Sequence, residues 1–173
     1  MGIVSLIGLS GCGKTTVAGL VASHLRWGLV DLDREVELRS GTTIATLFSE
    51  EGEVGFRQRE AVALTEALSG DDRVIATGGG APCQSGAMDA LLEAGQVVWL
   101  QASVSVLLER TVDRGHRPLL SIGDGARETL VQQLSDREPF YARAHLAVQT
   151  DGLSPEAVAE RITRYMLNHQ GAA

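Results

Sequence analysis

This sequence predicts an α/β fold in three layers, a parallel sheet covered by helices on both faces. Short apolar runs alternate with amphipathic stretches along the chain, and turns rich in glycine or polar residues separate them. The first run, Ile3–Ile7, leads through a glycine-rich turn straight into a helical stretch. Apart from Ser5 its residues are apolar on both alternating faces, as expected of a strand buried on both faces.

The elements follow in order. Ile3–Ile7 is the first strand and stops at Gly8; residues 15–25 form a helix and residues 29–32 a short second strand. Residues 53–68 are helical, because Ala61, Leu64 and Leu68 fall on one face at i, i+3 and i+7. A third strand at 74–76 runs into Gly78, Gly79 and Gly80, and a fourth spans 97–100. The helix Val104–Val112 precedes a stretch rich in glycine and arginine, residues 113–125. Residues 129–143 are mostly helical, with Pro139 expected to kink or interrupt them, since its ring removes one N–H and crowds the preceding turn. The last strand is 146–148 and the last helix 155–167, with Pro155 in the first turn, where a missing N–H costs nothing. No repeat, low-complexity tract or linker breaks the pattern, so one domain over residues 1–173 is expected. Folds of this class bind ligands beyond the carboxyl ends of their strands, so the residues after each strand are the ones to read for function.

A net charge of −7 opposes broad nucleic-acid binding. No apolar run approaches the ~18–20 residues that cross a membrane. No basic segment precedes the first apolar run, so no secretory signal is expected, and the default location is the cytoplasm. Cys12 and Cys83 lack metal-ligand spacing and read as reduced thiols. A monomer is the default assembly. The chain has fourteen arginines but a single lysine, Lys14, as expected where one site requires a compact ammonium.

Lys14 lies in Gly8-Leu9-Ser10-Gly11-Cys12-Gly13-Lys14-Thr15, a match to G-x-x-x-x-G-K-[ST] placed between a strand and a helix. The glycines let backbone N–H groups turn towards phosphate oxygens, and the helix N-terminus adds partial positive charge. Lys14 can reach the β- and γ-phosphates, and the Thr15 hydroxyl can ligate Mg²⁺. This establishes a nucleotide site without choosing a reaction. A guanine-reading N-K-x-D segment needs a lysine outside the loop, and none exists. The third strand carries no Asp of the kind that holds Mg²⁺ in motor and transport ATPases. Asp31 and Asp33 close the second strand instead, and in an extended strand they would point to one face. One acid can then hold Mg²⁺ through water while the other contacts or deprotonates an acceptor hydroxyl. Taken alone, the pair fits two solvated turn acids equally well.

These residues resemble the shikimate kinase family over nearly the whole chain. The acids Asp31 and Asp33 are similar to its second-strand D-x-D, with Leu29 where Phe is common. Gly52-Glu53 and Phe56-Arg57 through Glu60 are similar to its G-E-x-x-F-R-x-x-E. Gly78, Gly79 and Gly80 match its glycine triplet, and Arg117-Pro118-Leu119-Leu120 its lid motif. Arg137, Pro139 and Tyr141 match the segment with its last substrate arginine.

The resemblance implies MgATP-dependent phosphorylation of the shikimate 3-hydroxyl, on the route to chorismate. It implies a P-loop kinase fold with five parallel strands in order 2-3-1-4-5, a substrate-binding subregion at about residues 31–60 and a lid at about 113–125. ATP would meet Gly11, Cys12, Gly13, Lys14, Thr15 and Thr16, with Arg110 and Pro155 on either side of adenine. Lys14, Asp33 and Arg117 would be catalytic, Arg117 as a cation delivered by the lid to the transferring phosphoryl group. Arg57 and Arg137 would hold the substrate carboxylate, with Glu60 orienting an arginine. Gly78, Gly79 and Gly80 would line the substrate, Gly79 offering a backbone N–H. Thr15, and Asp31 through water, would hold the metal. Two rivals share part of this pattern: another small-molecule kinase, such as a gluconate or adenylate kinase, and a nucleotide-binding regulatory protein without transfer chemistry.

Overall fold

The computed structural model describes residues 2–112 and 125–169. Arg117 and nearly all of the expected lid segment lie outside these residues. Five strands, β1 (Ile3–Ile7), β2 (Gly28–Asp31), β3 (Arg73–Ala76), β4 (Gln96–Gln101) and β5 (Leu146–Gln149), form one sheet in order β2-β3-β1-β4-β5. Every pairing is parallel. All five residues of β1 are buried. Successive side chains point to opposite faces, so both faces of the central strand are covered, and apolar side chains on both faces, Ser5 apart, are what that position selects.

Among the described residues seven helices accompany the sheet: α1 (Lys14–Leu25), α2 (Leu32–Ser40), α3 (Ile44–Leu68), α4 (Ala87–Ala94), α5 (Val104–Val112), α6 (Ala126–Tyr141) and α7 (Pro155–His169). A 3-10 turn, Ala81–Cys83, follows the glycine triplet. α1 packs on α7, α2 on α3, and α5 on α6. None of the helices among the described residues is long and apolar enough to cross a membrane. Cys12 and Cys83 are unbridged.

Three expectations need correction. The second strand ends at Asp31 and not at residue 32, because Leu32 is already helical. The long helix begins at Ile44, capped by Thr43, whose Oγ1 accepts from the Thr46 N–H at 3.2 Å. It bends at Gly52 (φ 69°, ψ −174°), so residues 53–68 form only its second arm. Helix α6 runs three residues further towards the N-terminus than expected, continues through Pro139 and stops at Tyr141. A proline this close to the end deprives a helix of only one of its last bonds. Leu29, where the resembled family commonly has Phe, is 48% exposed on the edge strand β2.

Candidate active site

The loop after β1 gets its shape from glycines. Gly8, Gly11 and Gly13 have φ of 140°, 87° and 100°, which side chains resist. At Gly8 space is also lacking, since a β-carbon would sit 2.5 Å from the Leu100 carbonyl oxygen. Helix α1 starts directly from Gly13 with no side-chain cap, so its first N–H groups remain available to an anion. Lys14 is only 8% exposed. Its Nζ turns back to donate to the carbonyls of Gly8 (2.8 Å) and Leu9 (2.9 Å). The ammonium is thus held inside the loop rather than in solvent.

The acids reach the loop by a route that strand alternation did not foresee. Asp31 is the last residue of β2 and the N-cap of α2, its Oδ1 accepting from the Arg34 N–H at 3.3 Å. Aspartate is among the preferred capping residues, and capping here turns the chain out of the strand after Asp31. Leu32 and Val36 bury the inner face of the new helix. Asp33 therefore sits in the first turn of α2 rather than beside Asp31 along a strand. Both acids nevertheless line one cavity with Lys14, Thr15, Thr16 and Gly79. Thr15 Oγ1 donates to Asp31 Oδ2 at 2.6 Å. Two hard oxygen donors side by side beneath a phosphate loop suit Mg²⁺, which takes one or two protein ligands and completes its shell with phosphate and water.

Backbone pairing joins the glycine triplet to this cavity. Thr77, next after β3, donates from both N–H and Oγ1 to the Leu6 carbonyl, at 3.1 and 3.0 Å. Each glycine beyond it faces charged or backbone groups. A methyl on Gly78 would collide with Glu60 Oε1 and lie 3.0 Å from Asp33 Oδ1. On Gly79 it would lie 3.1 Å from Arg137 Nη1 and 3.3 Å from the Ser10 nitrogen. On Gly80 it would collide with the Arg57 guanidinium.

Arg57 and Glu60 form the floor. They are 13% and 2% exposed, with Arg57 Nη1 donating to Glu60 Oε2 at 2.6 Å. This is no solvated surface pair. Glu53, one turn earlier, accepts from Arg57 Nε (3.3 Å) and Nη2 (3.1 Å) through a single oxygen. Burial pushes the Glu60 carboxyl above the usual range; Arg57 pulls it back, Asp33 raises it, and Arg137 lowers it. Asp33, Arg57 and Arg137 thus all lie within electrostatic reach of Glu60. Among the described residues Glu60 Oε1 has no hydrogen-bond partner although it is buried.

The Gly80 contact yields a clean test. Gly80 has φ −93° and ψ −8°, which alanine tolerates, so Gly80→Ala acts only by pushing the Arg57 fork aside. We expect the KM of the acceptor to rise about tenfold, equivalent to about 1.4 kcal/mol, with the KM of ATP unchanged. Steady-state kinetics with each substrate varied would check it.

The structure does not bring every expected residue to the cavity. Arg110 is half-buried near the end of α5, and Pro155 opens α7 exposed to solvent. A second cavity, of about 230 Å³, adjoins the loop at Leu9 and Cys12 and is bounded by Trp99, Leu134 and Glu138. Neither cavity is lined by Arg110 or Pro155. Conversely, Glu53, Thr77 and Tyr141 belong to the site's framework without having been assigned roles from the sequence. Glu53 left its i, i+4 spacing to Arg57 and Tyr141 its place in the segment after Arg137, but no local pattern announces the contacts that Thr77 and Tyr141 make with distant segments.

A parallel sheet with a phosphate loop after its central strand, an acid pair beside the loop and a buried arginine–carboxylate floor define a P-loop kinase of a small molecule. The family model described as Shikimate kinase matches residues 10–167. The chain belongs to the shikimate kinase family. It is 44% identical over 162 residues to a shikimate kinase of Symbiobacterium thermophilum, covering 92% of each chain. It is 42% identical over 158 residues to a shikimate kinase of Pseudomonas syringae, covering 91% of each. The solved structure of shikimate kinase from Acinetobacter baumannii in complex with shikimate superposes with a TM-score of 0.93 at 37% identity, covering 98% of this chain and 95% of that one.

Proposed function

We propose that this protein transfers the γ-phosphoryl group of ATP to the 3-hydroxyl of shikimate, giving shikimate 3-phosphate on the route to chorismate. The observation that carries the reading is the adjacency of two half-sites. Lys14 and Thr15 share a cavity with Asp33, and Asp33 in turn faces the Gly78 wall and the Arg57–Glu60 floor.

A ring bearing hydroxyls and one carboxylate needs a guanidinium fork at one end and an acceptor for the reacting hydroxyl at the other. Arg57 and Arg137 take the carboxylate. Glu53 covers the Nε/Nη2 edge of Arg57 and Glu60 holds Nη1, so the end of the fork is left to the substrate. Asp33 accepts the hydrogen bond of the reacting hydroxyl and so aims its oxygen at the γ-phosphate. In a loose transition state this alignment matters more than a strong base. Gly79 presents a backbone N–H.

Gly11, Cys12, Gly13 and Thr16 surround the ATP phosphates, and Lys14 leaves its two loop carbonyls to contact phosphate oxygens. Thr15, with Asp31 acting through water, would hold the Mg²⁺ that accompanies ATP and offsets phosphate charge. Arg110 and Pro155 flank the adenine, and Arg117 in a lid at about 113–125 completes the charge stabilisation. The substrate-binding subregion at about 31–60 and this lid belong to a single domain. The proposal includes action in the cytoplasm as a monomer; the use of ATP and the bacterial relatives support that location.

A coupled assay of ADP release with MgATP, run separately with shikimate, gluconate and AMP, tests the reading. Release that depends on shikimate and is lost in Asp33→Asn supports it. Stimulation by gluconate or AMP instead overturns the acceptor, and nucleotide binding without turnover overturns the transfer reaction.

A further inference from the structure

We infer that Tyr141 is a positioning residue, whose hydroxyl sets the plane of the Gly79–Gly80 peptide and so aims the Gly80 N–H at the acceptor. This inference rests on the shikimate reading of the site.

Tyr141 is fully buried (0% exposed) in the last turn of α6, and its hydroxyl donates to the Gly79 carbonyl. Its ring packs on Trp99 of β4, with centroids 5.7 Å apart at 47°, so the hydroxyl has little freedom to leave. The neighbouring carbonyls are tied by backbone: Gly78 O accepts from Ala81 N and Gly80 O from Cys83 N, each at 3.2 Å. Among the described residues, the N–H groups of Gly78, Gly79 and Gly80 find no acceptor. The triplet thus turns its carbonyls into the protein and keeps its donors free, the arrangement of an oxygen-binding nest.

Gly80 O also accepts from Gln84 Nε2 at 3.3 Å, but among the described residues only the middle carbonyl has a side chain and no backbone donor. Three consecutive glycines have the widest backbone freedom, so an unrestrained peptide there would rotate. In a planar trans peptide the N–H points opposite to the C=O. Fastening Gly79 O to a core hydroxyl therefore directs the Gly80 N–H away from the core, towards the side where Arg57, Glu60 and Asp33 stand.

The same helical turn carries Arg137, four residues before Tyr141 and on the same face. Arg137 Nη1 lies 3.1 Å from the point a Gly79 methyl would occupy. One turn of α6 thereby places a substrate-facing cation and fixes the glycine wall beside it. Burial raises the phenol far above the usual tyrosine range, although Arg137 pulls it down, so the donor proton stays in place at physiological pH.

The test is Tyr141→Phe in the full chain, which keeps the ring on Trp99 and removes only the hydroxyl. The expected result is a KM for shikimate raised about tenfold with the KM for MgATP within about twofold, and a smaller rise in Tm on adding shikimate. Tyr165→Phe is the matched control, deleting a hydroxyl that donates to Gln96 Oε1 (2.8 Å) at the start of β4, the end of that strand away from the phosphate loop. It is expected to keep both KM values. If Tyr141→Phe lowers Tm but keeps the wild-type KM for shikimate, or raises both KM values equally, the positioning role is overturned. If wild-type protein shows no shikimate-dependent turnover, the substrate reading falls and this inference falls with it.

Discussion

Lys14→Ala is expected to lower kcat by about 10²–10³-fold, the usual effect of deleting one preorganised group that stabilises transition-state charge. Lys14 is the chain's single lysine, and no other ammonium side chain exists to take its place. Its Nζ already lies inside the loop, bonded to the Gly8 and Leu9 carbonyls, so meeting phosphate oxygens requires a local swing and no reorganisation of the fold. Lys14→Arg is expected to rescue little, because a planar fork does not fit a slot shaped for a point charge between two carbonyls. Rapid-quench measurement of the transfer step, with ATP affinity measured separately, checks this. A kcat within tenfold of wild type would remove Lys14 from the chemistry.

Arg57→Ala is expected to act twice. Loss of charged hydrogen bonds to the substrate carboxylate should raise the KM for shikimate about 10- to 100-fold, at about 1.5–3 kcal/mol for such bonds. Loss of its partner also strands Glu60, which is 2% exposed, and breaking a buried pair costs about 3 kcal/mol or more. The pH dependence has a definite sign. The folded-state pKa of Glu60 is already raised above 4.5 by burial, and without Arg57 it rises further. A folded state with the higher carboxyl pKa binds more protons, so the variant loses stability as pH rises through that pKa and recovers it as pH falls towards 4.5. Thermal unfolding of Arg57→Ala and of Arg57→Ala with Glu60→Gln would separate the effects. The double variant should lose the added pH slope while keeping the high KM; a single variant with no added slope would contradict the stranded-carboxylate account.

Much of the fold was legible because its signals are local. The largely apolar runs of β1, β3 and β4 located the buried strands, and the loop from Gly8 to Thr15 marked the turn into α1. Helices α2 and α4 and the first arm of α3 were missed, α2 and the first arm of α3 for identifiable reasons. Helix α2 is cut short by Gly41 and begins at an acid that also ends a strand, so strand and helix signals overlap within four residues. The first arm of α3 is separated from the second by Gly52, and a glycine reads as a boundary even where the chain resumes its helix beyond it. Of the site, the residues with motif support were named, but their environments were not. The Arg57–Glu60 spacing is the same for a solvated pair and a buried one, and only burial separates the two.

Periodicity, glycine conformations and short-range spacing were enough to show a parallel sheet around a phosphate loop with acids at the end of its second strand. The arginines about the glycine triplet were legible only through the resemblance to a known family. The tertiary structure alone decided that Asp33 reaches the loop from a helix, that Glu60 is stripped of water beneath Arg57, and that Tyr141 fastens the Gly79 carbonyl from 62 residues away. Burial and contacts between distant segments follow from how the layers close on one another, and the spacing of neighbouring residues carries no record of that closure.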